Sequence, residues 1–356
     1  INEERGMKEK NVKRTVWISG ILVLLCVIAV CICMFLFLSY IRGFREVADA
    51  DSYDKYYVMI TKDRKSSFWQ SVYQGAYQRG LEENAYVDLL GENLSEDYSR
   101  EDLMRIAISS GVDGIFVESD ESGELTELID EAVDRDIPVV TLYGDNTHSK
   151  RCSFVGVGSY NLGREYGRQV LKIAEEQKKE KSEEKGEIQV AVLTNAYTMN
   201  SGQNIIYSGI QDAIEQEKTG ETKFSVSYIT VDDTNTFSVE ESIRDIFMEE
   251  RLPDIIICLN ELNTTCVYQA VVDYNRVGQI SILGYYDSDT IINAIDRNVV
   301  NATISIDTEQ MGGFCVDALT EYYLLGNTSQ YFTADVTLID KSNVEQYLEG
   351  GDEDEN

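Results

Sequence analysis

From Asp54 onward, short and nearly continuous apolar runs alternate with longer amphipathic ones, and few folds accommodate that alternation. "YYVMI" (Tyr56–Ile60) leads into "FWQSVYQGAYQRGLEEN", where Phe68, Val72, Tyr73, Ala76 and Leu81 fall on or near one helical face. "VDLL" then precedes a helix that Ser99 caps and Gly111 closes; "GIFVES", "GELTELIDEAVDRD" and "IPVVTLY" continue the pattern. After "SFVGVG" a helix from Tyr160 to about Glu176 runs into the charged loop "QKKEKSEEKGE". The alternation then restarts with "IQVAVLT", "FSVSYIT", "DIIICLN" and "SILGYY", separated by helices expected over 205–217, 239–250 and 264–275. Strands apolar on both faces, joined by helical crossovers, belong to parallel sheets covered on both sides. The expected architecture is α/β: two doubly wound parallel-sheet lobes of similar size.

Two strands end alike. "VVTLYGDN" runs from apolar residues into Tyr143 and Asp145, and "SILGYYDSD" runs into Tyr286 and Asp287. Ligands of open α/β sheets bind beyond the carboxyl ends of the strands, so these residues, one pair per lobe, are candidates to line a cleft between the lobes. Tyrosine offers a flat apolar face with a polar tip, and aspartate accepts strong hydrogen bonds. That combination suits a polyhydroxylated ligand. By strand alternation only one of Tyr285 and Tyr286 faces the cleft, and Tyr286 is the expected one. Asp289 is expected to cap the next helix.

The charge balance narrows the partners. With 31 Lys+Arg against 63 Asp+Glu the net charge is −32, which excludes a nucleic-acid surface. The chain has one histidine; His148 reads as a surface residue in the loop "DNTHSK". Cys152, Cys258, Cys266 and Cys315 show no zinc or redox spacing, and no nucleophile elbow, P-loop or dinucleotide fingerprint is present. Neither an enzyme nor a cofactor or metal is expected. Residues 16–38 carry no charge and are long enough as a helix to cross a bilayer core of about 30 Å. Arg5, Lys8, Lys10, Lys13 and Arg14 precede them, which predicts a cytoplasmic N-terminus and an extracytoplasmic remainder. The run exceeds a signal-peptide core, and no small-residue cleavage site follows it, so it reads as an uncleaved anchor.

The stretches "SSFWQSVYQGA", "GVDGIFVES", "DIPVVTLYGDN…SKRCSFVGVGSYNLG", "IICLNE", "ILGYYDSD" and "VVNATISIDTEQMG" occur in an order and spacing that resembles the type 1 periplasmic binding proteins, in particular the ribose- and galactose-type sugar-binding group. The resemblance spans Tyr56 to about Val344. It implies two lobes joined by a three-strand hinge, with ligand enclosed between them. Its domain layout would be a cytoplasmic N-terminus (1–15), an anchor (16–40), a linker (41–53), lobe 1 (54–157 and 308–334), lobe 2 (158–307 and 335–348) and an acidic tail (349–356). Phe68 and Trp69 match the aromatics that sandwich a sugar ring, and Asn260 matches an asparagine of the ligand site. The chain departs from the family pattern at Tyr143 and Tyr286, where aspartates are usual, and Asp145 and Asp287 are displaced from those positions. Asn204 stands near a missing arginine, and Asp307 lies one residue past a hinge glutamine. The implied function is a membrane-anchored extracytoplasmic solute-binding protein that delivers a sugar-like ligand to an ABC-type permease. The alternative is a ligand sensor that engages a membrane histidine kinase.

Overall fold

The computed structural model describes Met34 and residues 53–94, 96–181, 186–195, 201–232 and 234–348. No helix among them is long and apolar enough to cross a membrane. The expected anchor over 16–40 lies outside the described residues, Met34 apart, as do most of the linker and the tail at 349–356. Every element below belongs to the compact unit that begins at Lys55.

The first half of that unit winds through β1 (Lys55–Ile60), α1 (Ser67–Glu82), β2 (Ala85–Leu89), α2 (Arg100–Ser110), β3 (Gly114–Glu118), α3 (Gly123–Asp134), β4 (Val139–Leu142) and β5 (Ser153–Gly156). The second half repeats the scheme with α4 (Ser159–Lys181), β6 (Glu187–Asn195), α5 (Ser201–Glu217), β7 (Lys223–Val231) and α6 (Thr236–Met248). It continues with β8 (Ile255–Ile257), α7 (Glu261–Asp273), β9 (Ser281–Tyr285), α8 (Asp289–Asp296) and β10 (Ala302–Ile306). The chain then returns through α9 (Thr308–Leu325) and β11 (Tyr331–Thr333) to the first lobe, and through β12 (Val336–Asp340) and α10 (Glu345–Leu348) to the second.

The two six-stranded sheets have the same internal order, β11-β5-β4-β3-β1-β2 and β12-β10-β9-β8-β6-β7. All pairs are parallel except β10 with β12. In each sheet the winding reverses beside the lobe's first strand, between β1 and β3 and between β6 and β8, which places a topological switch point there. The chain crosses between lobes three times, and the crossings are tied together. The Ala334 N–H donates to Gly156 O at 2.8 Å, and the Asp307 N–H donates to Asp335 O at 3.0 Å.

Both faces of the central strands are covered, as their apolar runs require: Val58, Met59 and Ile60 are fully buried, as are Ile255, Ile256 and Ile257. The Tyr166 hydroxyl of α4 reaches two neighbouring strands of lobe 2, 3.2 Å from Cys258 O and 2.9 Å from Gly284 O, so its polar tip is satisfied inside the core. Helix α2 has the expected cap and stop: Ser99 accepts from the Asp102 N–H, and Gly111 sits at φ 64°. Several helix boundaries differ from expectation: α5 and α6 begin early, at Ser201 and Thr236, and two further differences have visible causes. Helix α4 continues to Lys181 through residues read as loop, because Gln, Lys and Glu are good helix formers and Gln177 Nε2 donates to Ser281 Oγ at 3.3 Å. Helix α7 starts three residues early, because Asn260 caps it by accepting from the Asn263 N–H at 2.7 Å.

Candidate ligand cleft

The switch points of the two sheets face one cleft of about 780 Å³, lined by both lobes. In lobe 1, Lys62 follows β1 and Glu118 ends β3, and the Lys62 N–H donates to Glu118 Oε2 at 2.7 Å. In lobe 2, Asn195 ends β6 and Asn260 follows β8, and Asn260 Nδ2 donates to Asn195 Oδ1 at 3.4 Å. All four residues line the cleft.

An aromatic cluster closes one side. Helix α1, capped by Ser66 through the Trp69 N–H, points its N-terminal turn at the opposite lobe. The Phe68 ring packs against four others, with centroids 5.1 Å from Trp69, 5.6 Å from Tyr143, 6.1 Å from Tyr285 and 5.2 Å from Tyr286. Three of these contacts are edge-on, the arrangement that aromatic quadrupoles favour. Tyr143 and Tyr286 occupy matching places: each follows the fourth strand of its lobe, each has a positive φ (64° and 74°), and each donates its N–H to the adjacent strand, at Val155 O and Ile304 O. A left-handed backbone is costly for a bulky residue and persists only where the surroundings impose it. Here each hydroxyl reaches a carbonyl of the other lobe, Tyr143 to Leu259 O at 2.8 Å and Tyr286 to Ser67 O at 3.3 Å. Glu261, in the first turn of α7, adds a third tie by accepting from Ser67 Oγ at 2.5 Å and from the Phe68 N–H at 3.4 Å.

Tyr286 does not take the cleft-facing place that strand alternation predicts for it. The positive φ of Tyr286 breaks the alternation, so Tyr285 and Tyr286 both pack on Phe68; Tyr285 lines the cleft, while Tyr286 sits within the ring cluster.

Of the residues singled out in the sequence, Phe68, Trp69, Tyr143 and Asn260 line the cleft, with Tyr286 packed behind them. The structure places the others elsewhere. Asp145 is held by Arg151, which donates from Nε to Oδ1 and from Nη2 to Oδ2 at 2.7 Å, and the Asn146 N–H takes a further share of the carboxylate. Asp287 accepts from Ser305 Oγ at 2.7 Å beside the hinge strand. Asp307 is exposed and caps α9 through the Gln310 N–H at 2.8 Å. Asn204 is exposed on α5. The cap expected of Asp289 falls instead at Ser288, with Asp289 in the first turn of α8. His148 is exposed and outside the cleft lining.

Glu118 and Glu261 carry the same signal that singled out Asp145, an acid at the carboxyl end of a buried strand. Which of several such acids turns inward depends on where the neighbouring cations lie. Behind Glu118, the buried Arg100 donates to Glu118 O at 3.0 Å and to Asp120 Oδ2 at 2.8 Å, and Lys62 Nζ lies 3.7 Å from the same Asp120 oxygen. These two acids therefore titrate in opposite directions. Burial pushes the Glu118 carboxyl up, only partly offset by Lys62. Burial also opposes ionisation of Asp120, but Arg100 and the hydrogen bonds from Ser122 together outweigh it and hold that carboxyl below its ordinary range.

Stability linked to neutral Glu118 is fully present below its ordinary pKa of 4.5 and is lost as pH rises through its elevated folded value. Glu118→Gln, whose carboxamide oxygen can still accept from Lys62, should therefore melt higher than wild type at pH 7, with the gap closing below about pH 4.5. Thermal unfolding across that window measures it. An equal gap at both ends would mean that ionisation of Glu118 is not involved.

Such a cleft, built at the switch points of two like-wound lobes joined by a triple crossing, defines a two-lobe solute-binding architecture. Residues 57–327 match the family model of the periplasmic binding protein domain, and the chain belongs to that family, one of binding proteins rather than enzymes. Among solved structures, the glucose-galactose binding protein GanP from Geobacillus stearothermophilus superposes with a TM-score of 0.69 at 22% identity, over 82% of this chain and 99% of that one. XylFII in its complex with LytSN gives 0.66 at 22%, over 82% and 99%. A solute-binding protein of an ABC transporter from Burkholderia graminis, in complex with D-arabinose, gives 0.69 at 16%, over 83% and 99%. At these identities the likeness is one of fold. No curated protein matches the sequence.

Proposed function

We propose that this protein is an extracytoplasmic solute-binding protein, anchored through residues 16–40, that takes a small sugar-like ligand between its lobes for an ABC-type permease. The observation that carries this reading is the cleft itself, where the Phe68 and Trp69 rings of one lobe face the polar first turn of α7 in the other. Apolar ring faces beside hydrogen-bonding side chains suit a molecule with an apolar face and a polar rim. Solved relatives of this fold are described as binding glucose and galactose or as holding D-arabinose.

A second reading, a ligand sensor that engages a membrane histidine kinase, is favoured by the likeness to XylFII in its LytSN complex. One set of measurements addresses both. Full-length chain in detergent is screened by thermal shift against pentoses, hexoses and polyols, since a ligand that binds only the native state raises the melting temperature. Cross-linking in membranes, with and without the ligand found, then identifies the neighbour. A permease supports transport and a kinase supports sensing. A screen in which no sugar shifts the melting temperature, while another class of polar metabolite does, removes the sugar assignment.

A further inference from the structure

Helix α7 begins with two asparagines of different standing. The amide of Asn260 is occupied: its oxygen caps the helix through the Asn263 N–H, and its nitrogen donates to Asn195. Asn263, one turn on, is only 1% exposed and lines the cleft, yet neither its Nδ2 nor its Oδ1 finds a hydrogen-bond partner among the described residues. Buried amides are nearly always paired, and leaving one unpaired costs stability.

A second group on the same wall behaves alike. Ser288 stands at the N-cap of α8, where a serine hydroxyl ordinarily accepts from the helix, but it makes no capping bond. Its Oγ is buried, has no partner among the described residues, and belongs to a residue of the same cleft lining. Both groups come from the ends of neighbouring elements, since Thr264, next to Asn263, accepts through Oγ1 from the Tyr285 N–H, three residues before Ser288.

We propose that Asn263 and Ser288 are the groups through which lobe 2 holds the ligand, a task the sequence pattern had placed on Asp287 and Asn260. The proposal rests on the reading of the cleft as a ligand site. The amide has both a donor and an acceptor to satisfy, so the matching ligand presents an acceptor and a donor side by side, as adjacent hydroxyls do. An anion is disfavoured there, because Glu261 and Asp289 stand in the first turns of the same two helices and oppose it at those N-termini.

The test is titration calorimetry and thermal unfolding on the full-length chain, with D-xylose, D-glucose, D-galactose and L-arabinose as probes. It compares wild type with Asn263→Leu and Ser288→Ala. For a sugar that wild type binds, Asn263→Leu should weaken binding at least about 20-fold and Ser288→Ala about 5- to 10-fold, as expected when a site built around a hydroxyl loses its partner. Without sugar, Asn263→Leu should melt at or above the wild-type temperature, because an unpaired buried amide has been replaced by an apolar side chain of the same branched shape. Unchanged affinity in both variants overturns the proposal while leaving the sugar site standing. An Asn263→Leu protein that melts lower, together with unchanged affinity in Ser288→Ala, overturns it in favour of an amide bound to a structural water. A wild-type chain that binds none of the four sugars, nor any sugar of the wider thermal-shift screen, defeats the sugar reading and this proposal with it.

Discussion

Replacing Gly312 with alanine should lower the melting temperature by roughly 5 °C, the equivalent of about 3 kcal/mol for the compact unit that begins at Lys55. Helices α1 and α9 cross at two glycines. A Cβ on Gly312 would stand 2.0 Å from Val72 O and 2.5 Å from the Ala76 nitrogen, and one on Gly75 would stand 2.2 Å from Glu309 O. These obstacles are backbone atoms, which no change of rotamer can move aside, so the helices would have to separate. Gly313 is the control: its nearest neighbour is Arg79 Cβ at 3.9 Å, and alanine there should gain from helix propensity, by up to about 1 kcal/mol. Thermal unfolding of the two single variants decides the matter, and equal melting temperatures would show that the close crossing is not needed. Because Phe68 and Trp69 lie within about a turn of Val72 on α1, ligand affinity should fall in Gly312→Ala as well.

Phe68→Ala is expected to cost about 3–5 kcal/mol, the range for truncating a buried aromatic ring. Phe68 is 5% exposed, and the rings it touches come from both lobes: Trp69 and Tyr143 from the first, Tyr285 and Tyr286 from the second. Its loss should therefore loosen the contact between lobes as well as the fold, and small-angle scattering should report a larger radius of gyration. Tyr143→Phe separates the two effects. It keeps the ring and removes the hydroxyl's hydrogen bonds, the one to Leu259 O and the one shared with Tyr285, for which about 1 kcal/mol each is the ordinary net value. If Phe68→Ala proves no more expanded than wild type, the ring cluster serves one lobe alone and the hinge sets the lobe arrangement.

The candidate site was partly legible in the sequence. Phe68, Trp69 and Asn260 could be found because the stretches around them resemble the binding-protein family's pattern. Tyr143 could be found because strand ends collect ligand groups in this architecture. Asp145 met the same criterion and lies in an ion pair with Arg151 instead. Six residues separate the two along the chain, and only the return of β5 beside β4 brings the guanidinium onto that carboxylate. Asn263 carries no sequence signal at all. An asparagine in the first turn of a helix is commonplace, and its lack of a partner is a property of what surrounds it.

The sequence by itself determined the two-lobed α/β architecture, because fully apolar strands joined by amphipathic helices can be buried only in a parallel sheet covered on both faces. It determined the cap and stop of α2 too, since Ser99 and Gly111 act on backbone groups within a few residues of themselves. The tertiary structure decided which polar side chains face the cleft. A left-handed turn at Tyr286 overrides the strand alternation that would have sent Tyr285 and Tyr286 to opposite faces. Arg151 claims one strand-end carboxylate, Ser305 bonds another, and α7 starts early enough to seat Asn263 in the wall. Local patterns are set by neighbours along the chain. Pairing of polar groups in a cleft is set by neighbours in space, whose approach depends on the packing of both lobes at once.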